Sequence, residues 1–206
     1  MLNNEKTNNL EKESKVMRPE VKKVRDGIMR APSRTYGERI MEPIFRYKYD
    51  WDETETDEND AVCKSNKLKE IKCTKVLTPH KRKKTSLLEE VNGFAEKDVL
   101  SRMISFNDGH DSAYDCNVQN VKRDHFDQVL YAMLFDDCIK VFECDSNDVS
   151  NIVNWSGKHG RYDKEGKSGQ FAIKKTNLQW HLDNNFKETI TWEEVYEIVN
   201  KLSNDN

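Results

Sequence analysis

Asp60, Glu70 and Lys72 are of the types and at the spacing that phosphodiester chemistry requires. Nine residues separate the aspartate from the glutamate, and one separates the glutamate from the lysine. Hydrolysis of a phosphodiester calls for a cation-activated water and for neutralisation of the charge that builds on the phosphate. Asp60 and Glu70 supply the hard oxygen ligands that suit one or two Mg²⁺ ions. Lys72 supplies an ammonium that can orient the water, assist its deprotonation or stabilise developing charge. The same Glu-x-Lys tripeptide also reads as an ordinary cross-strand ion pair, so the element that carries it matters.

That element is expected to be a β-hairpin within residues 59–77. Ser65-Asn66 is a tight polar turn between two runs of alternating character. On the second strand Glu70, Lys72 and Thr74 share one face, while Ile71 and Cys73 point the other way and are expected to be buried. Asp60 lies across the turn, where its carboxylate can approach Glu70.

Asp60-x9-Glu70-x-Lys72 resembles the signature of the PD-(D/E)xK nucleases, and of type II restriction endonucleases in particular. Asn59 stands where the family often has proline, at a position that binds no metal. Ser33 to Glu42 resembles the helix that precedes the catalytic hairpin and points an acid at the metal. Glu42 fits that role best, with Glu38, one turn earlier on the same face, as the alternative. Asn117 to Lys122 resembles a later core strand whose glutamine and lysine, here Gln119 and Lys122, flank the active site.

This resemblance covers about residues 33–145. It implies Mg²⁺-dependent, sequence-specific cleavage of double-stranded DNA, with Asp60 and Glu70 as metal ligands, Lys72 and Glu42 completing the catalytic set, and a homodimer matched to palindromic targets. Two rivals stand beside it: a non-catalytic DNA-binding protein, and a repair or junction nuclease of the same fold.

The surrounding pattern predicts a single nuclease domain over residues 17–206, preceded by a loose polar tail at 1–16. A helix is expected from Pro19 to Arg30, and a second from Thr35 to Arg46 capped by Ser33, with Pro43 an awkward guest inside it. Strands are expected at 115–121, at the near-continuous apolar run 129–135, at 138–144 and at 171–173. A short helix should follow Asp148 through Val153, and residues 99–106 read as a strand or a short helix. Thr191-Trp192-Glu193-Glu194 is a capping box opening a last amphipathic helix. The order predicts an α/β (α+β) fold, a mixed central β-sheet flanked by helices, here expected to be restriction-endonuclease-like.

Charged residues make up 34% of the chain and the net charge is −3, which decides little because the charges are segregated. Residues 50–58 are acidic, whereas Lys81, Arg82, Lys83 and Lys84 form a basic run suited to backbone phosphates. Residues 156–170 form a glycine-punctuated, donor-rich loop. Its Lys158, Arg161, Lys164, Lys167 and Gln170 are candidates for DNA contact, with Arg or Lys expected on guanine and Gln on adenine.

Five cysteines without a Cys-x-x-Cys pair argue for a reduced, cytoplasmic protein and against a zinc site. His125 and His181 read as structural or surface residues. No apolar run approaches the roughly 20 residues needed to span a bilayer.

Overall fold

A computed structural model describes residues 17–54, 59–79, 98–158 and 168–204, the His110 side chain excepted. The fold is α/β. Its strands are β1 (Ala61–Val62), β2 (Leu68–Lys75), β3 (Asp115–Val121), β4 (Gln128–Leu134), β5 (Cys138–Asp145), β6 (Gly169–Lys174) and β7 (Phe186–Thr191). Five of them form a mixed sheet in the order β1-β2-β4-β5-β7, while β3 and β6 form a separate two-stranded sheet.

The apolar run takes the middle of the large sheet. Residues Val129 to Phe135 are fully buried, which only a strand covered on both faces allows. β2 runs parallel to β4, with Glu70 opposite Val129 and Lys72 opposite Tyr131. Those positions share the face covered by Cys116, Val118, Phe171 and Ile173 of the small sheet. Ile71 and Leu130 share the other face, packed against Met41, Ile44, Phe45, Trp192 and Val195 of the helices.

Glu70 is 6% exposed, close to the 3% of Ile71, because β2 is an interior strand with a layer on either side. One expectation is corrected by this layering. Residues 115–121 are a strand, but not one of the central sheet. Their alternation of Cys116, Val118 and Val121 with Asp115, Asn117 and Gln119 suits a half-buried ribbon, and the run at 129–134 holds the doubly covered place beside β2.

Helix α1 (Pro19–Arg30) has the predicted bounds. Its C-terminal end is tied to β2, because Lys75 Nζ donates to the carbonyls of Met29 at 2.8 Å and Ala31 at 2.6 Å. The next helical stretch is longer than expected and built in three parts: α2 (Ser33–Tyr36), a π-helical turn (Gly37–Met41) and α3 (Glu42–Tyr49). Pro32, not Ser33, holds the N-cap position, and Ser33 is the first helical residue. Pro43 falls in the first turn of α3, directly after the π turn. In an uninterrupted α-helix its ring would meet the Arg39 carbonyl, and the wider turn relieves that clash.

The sequence reading missed α4 (Leu178–Asn184) and the edge strand β7. The last helix, α5 (Trp192–Asn204), opens on the predicted capping box, with the Thr191 N–H donating to Glu194 Oε2 at 2.8 Å and the Glu194 N–H to Thr191 Oγ1 at 3.2 Å. The helix expected to run through Val153 shrinks to a 3-10 turn at Val149–Asn151, and residues 99–102 form another. No described helix is long and apolar enough to cross a membrane. The tail at 1–16 lies outside the described residues.

Candidate active site

The hairpin forms as the turn chemistry predicts. Asn66 adopts the left-handed φ of 61° that asparagine tolerates, and the Cys63 N–H donates to the Lys67 carbonyl at 3.0 Å to close the loop. Asp60 precedes β1, and its Oδ2 accepts the backbone N–H of Ile71 at 2.6 Å. This bond pins the carboxylate against β2, at the residue between Glu70 and Lys72 in sequence.

Lys72 then brackets the two acids. Its Nζ is ion-paired with Glu70 Oε1 and lies 4.0 Å from Asp60 Oδ2. The other lysines of β2 are engaged elsewhere: Lys69 pairs with Glu143 at 3.1 Å and Lys75 holds the end of α1. Lys72 is therefore the strand's cation directed at carboxylates of the hairpin.

The preceding helical stretch brings a third acid. Arg34, Glu38, Glu42 and Arg46 recur every fourth residue and all line one cleft of about 520 Å³, together with Asp60, Asn59, Glu53 and Thr54. In a pure α-helix this spacing drifts by about 120° over twelve residues. The π turn absorbs about one extra residue and cuts the drift to about 20°. The stripe thus stays in the cleft because of a local irregularity at Gly37–Met41.

This geometry also separates the two candidates for the helix acid. Glu38 is exposed and paired with Arg34 at 2.9 Å. Glu42 is half-buried, and burial together with the nearby Asp60 pushes its carboxyl up to about 7, Lys72 only partly opposing the shift. Burial also raises Glu70, with Lys72 opposing and Asp60 adding to the rise. Burial would lower Lys72, but Glu70, Asp60 and Glu42 outweigh it and hold the ammonium above its ordinary value.

Three carboxylates thus crowd one ammonium in a partly desolvated place. Surplus negative charge of this kind suits a divalent cation, and Mg²⁺ commonly takes one or two protein carboxylates with water and phosphate oxygens completing its shell. Among the described residues no three His, Cys, Asp or Glu side chains form a ready metal cage. Asp60 and Glu70 offer hard oxygen donors to such an ion, with water or other oxygens needed to complete its shell.

The remaining candidates divide. Lys122, just after β3, is close enough to Glu70 for its charge to favour the ionised carboxyl. Gln119 is solvent-exposed on the small sheet. Gln170 belongs to β6 rather than to a loop, bridged through its backbone to Ser156, and Lys158 is exposed just beyond that bridge. Lys81, Arg82, Lys83, Lys84, Arg161, Lys164 and Lys167 lie outside the described residues. Arg46, paired with Glu53 at 3.0 Å, is a cleft residue the sequence reading did not single out, although its four-residue spacing from Glu42 was visible. No family model, no curated protein and no solved structure matches the chain.

Proposed function

We propose that the protein is a Mg²⁺-dependent, sequence-specific endonuclease of the restriction type that hydrolyses double-stranded DNA, working as a homodimer. The observation that carries this reading is the Lys72 ammonium set between Glu70 and Asp60, with Glu42 in the adjoining cleft. An isolated ion pair would account for Glu70 and Lys72. It leaves unexplained a second carboxylate fixed by a backbone bond and a third kept near neutrality beside it.

Asp60 and Glu70 would hold Mg²⁺, which when bound supplies Lewis acidity towards the phosphate and lowers the pKa of a coordinated water. The chain's own contribution is positional. The Ile71 N–H fixes the rotamer of Asp60, so the carboxylate is preorganised. Lys72 can orient the attacking water and stabilise charge on the phosphate oxygens. Glu42, titrating near neutral pH, can accept or return a proton at its carboxylate oxygen.

A plasmid-cleavage assay with Mg²⁺ tests the reading directly. Glu70→Ala and Lys72→Ala should each lower cutting by roughly 10²–10³-fold, the usual effect of removing one electrostatic partner of a transition state. Unchanged cutting in both variants would sink the assignment. Binding that is indifferent to Mg²⁺ and to Asp60→Asn, with no cutting by the wild type, would identify a non-catalytic DNA-binding protein instead.

A further inference from the structure

The small sheet has one face without an assigned role. Cys116, Val118, Phe171 and Ile173 turn inward and pack on the large sheet, which fixes the ribbon to the body of the protein. The opposite face carries Asp115, Asn117 and Gln119 from β3, all exposed, beside Gln170, Ala172 and Lys174 of β6. Asp115 and Lys174 approach each other at 4.0 Å. The amides of Asn117 and Gln119 have no hydrogen-bond partner among the described residues.

This ribbon is continuous with the candidate catalytic centre. Val121 ends β3, and the next residue, Lys122, is the one whose charge reaches Glu70. At the other end of the strand, Cys116 Sγ lies 3.5 Å from the Lys75 carbonyl of β2. β3 therefore lies along the catalytic strand from Lys75 back to Glu70.

We infer that the β3–β6 ribbon is the element that reads base edges in the DNA major groove, with Asn117 and Gln119 as its adenine-directed amides; the inference rests on the nuclease reading above. A B-form major groove admits a two-stranded ribbon, and a carboxamide matches the acceptor and donor pair of adenine N7 and N6. Alternate residues on a strand are about 7 Å apart, close to two base-pair steps of about 3.4 Å each. Asn117 and Gln119 are thus spaced to address base pairs two steps apart. Lys122 and Arg123 follow β3 directly, and Lys158 lies two residues past the bridge from Ser156 to Gln170, so positive charge suited to backbone phosphates gathers at this end of the ribbon.

The test is digestion of a duplex library with a randomised core, in Mg²⁺, by the wild type and by Asn117→Ala, Gln119→Ala and Gln119→Glu, with the cut ends sequenced. The wild type should select adenines two steps apart. Each alanine variant should lose roughly 5- to 100-fold discrimination at one of those positions and keep the rest of the site. Gln119→Glu should shift its position from adenine towards cytosine, whose N4 amine a carboxylate accepts. Circular-dichroism melting should match the wild type throughout, since both side chains are exposed. Cutting whose specificity none of the variants changes overturns the ribbon assignment alone. A wild type that neither binds nor cuts duplex DNA overturns the nuclease reading and the ribbon with it.

Discussion

Asp60 Oδ2 accepts the Ile71 N–H at 2.6 Å, so one carboxylate is built into the backbone pairing of the strand that carries the other. The same oxygen lies 4.0 Å from Lys72 Nζ. The structural role of this side chain and its proposed role in catalysis can be separated by substitution. Asp60→Asn keeps an oxygen able to accept the Ile71 bond, whereas Asp60→Ala does not. The alanine variant should lose about 1 kcal/mol more stability than the asparagine variant in urea unfolding, while both lose Mg²⁺-dependent cutting.

Glu42 should set an alkaline limit on stability. Its folded pKa of about 7 lies above the ordinary value of 4.5, so the folded state holds a proton that the unfolded chain has already released between those pH values. This contribution is fully present below about pH 4.5 and gone above about pH 7. Glu42→Gln should accordingly be more stable than the wild type at pH 8, by about 1–3 kcal/mol, and indistinguishable from it at pH 4. Saturating Mg²⁺ should narrow the gap at pH 8 by stabilising the wild type. Urea titrations with and without the ion give all of these comparisons.

An acid limit should come from the opposite side of the sheet. His181 is fully buried, its Nδ1 2.9 Å from the Tyr131 hydroxyl, and burial lowers its pKa to about 4. Here the unfolded chain, near its ordinary 6.5, binds the proton first as pH falls. The stabilising contribution is present above pH 6.5 and disappears towards pH 4, amounting to about 3 kcal/mol. His181→Gln should flatten that acid limb of the stability curve. An unchanged limb would mean that His181 does not carry it.

Gly169 should tolerate a side chain only if Trp155 moves. A Cβ there would run into the outer edge of the Trp155 ring, so the indole must give way. Gly169→Ala should cost about 1–3 kcal/mol and shift the tryptophan emission as the indole is displaced from β6. Normal stability with unchanged fluorescence would contradict the packing described for the ribbon.

The hairpin, the first and last helices and the strand at 129–134 were legible because each rests on short-range rules. Turn residues at 65–66, proline at the first turn of α1, the Thr191–Glu194 capping box and an unbroken apolar run are local signals. β7 and α4 were missed for the opposite reason. β7 is an edge strand with exposed Phe186 and Lys187, and its pairing with β5 supplies what its own pattern lacks. The place of residues 115–121 was misjudged because alternation reveals a strand but not its partner.

The sequence by itself determined which residues could do chemistry and which local elements would carry them: Asp60, Glu70 and Lys72 on a hairpin, with a choice between Glu38 and Glu42. Tertiary structure set those two acids apart, leaving Glu38 exposed and paired with Arg34 while Glu42 is half-buried near Asp60. It also decided that Lys72, and not Lys69 or Lys75, faces the carboxylates, because the partners of the other two come from distant β5 and α1. Types and spacings are properties of the chain, whereas desolvation and charge proximity depend on what the fold places around each residue.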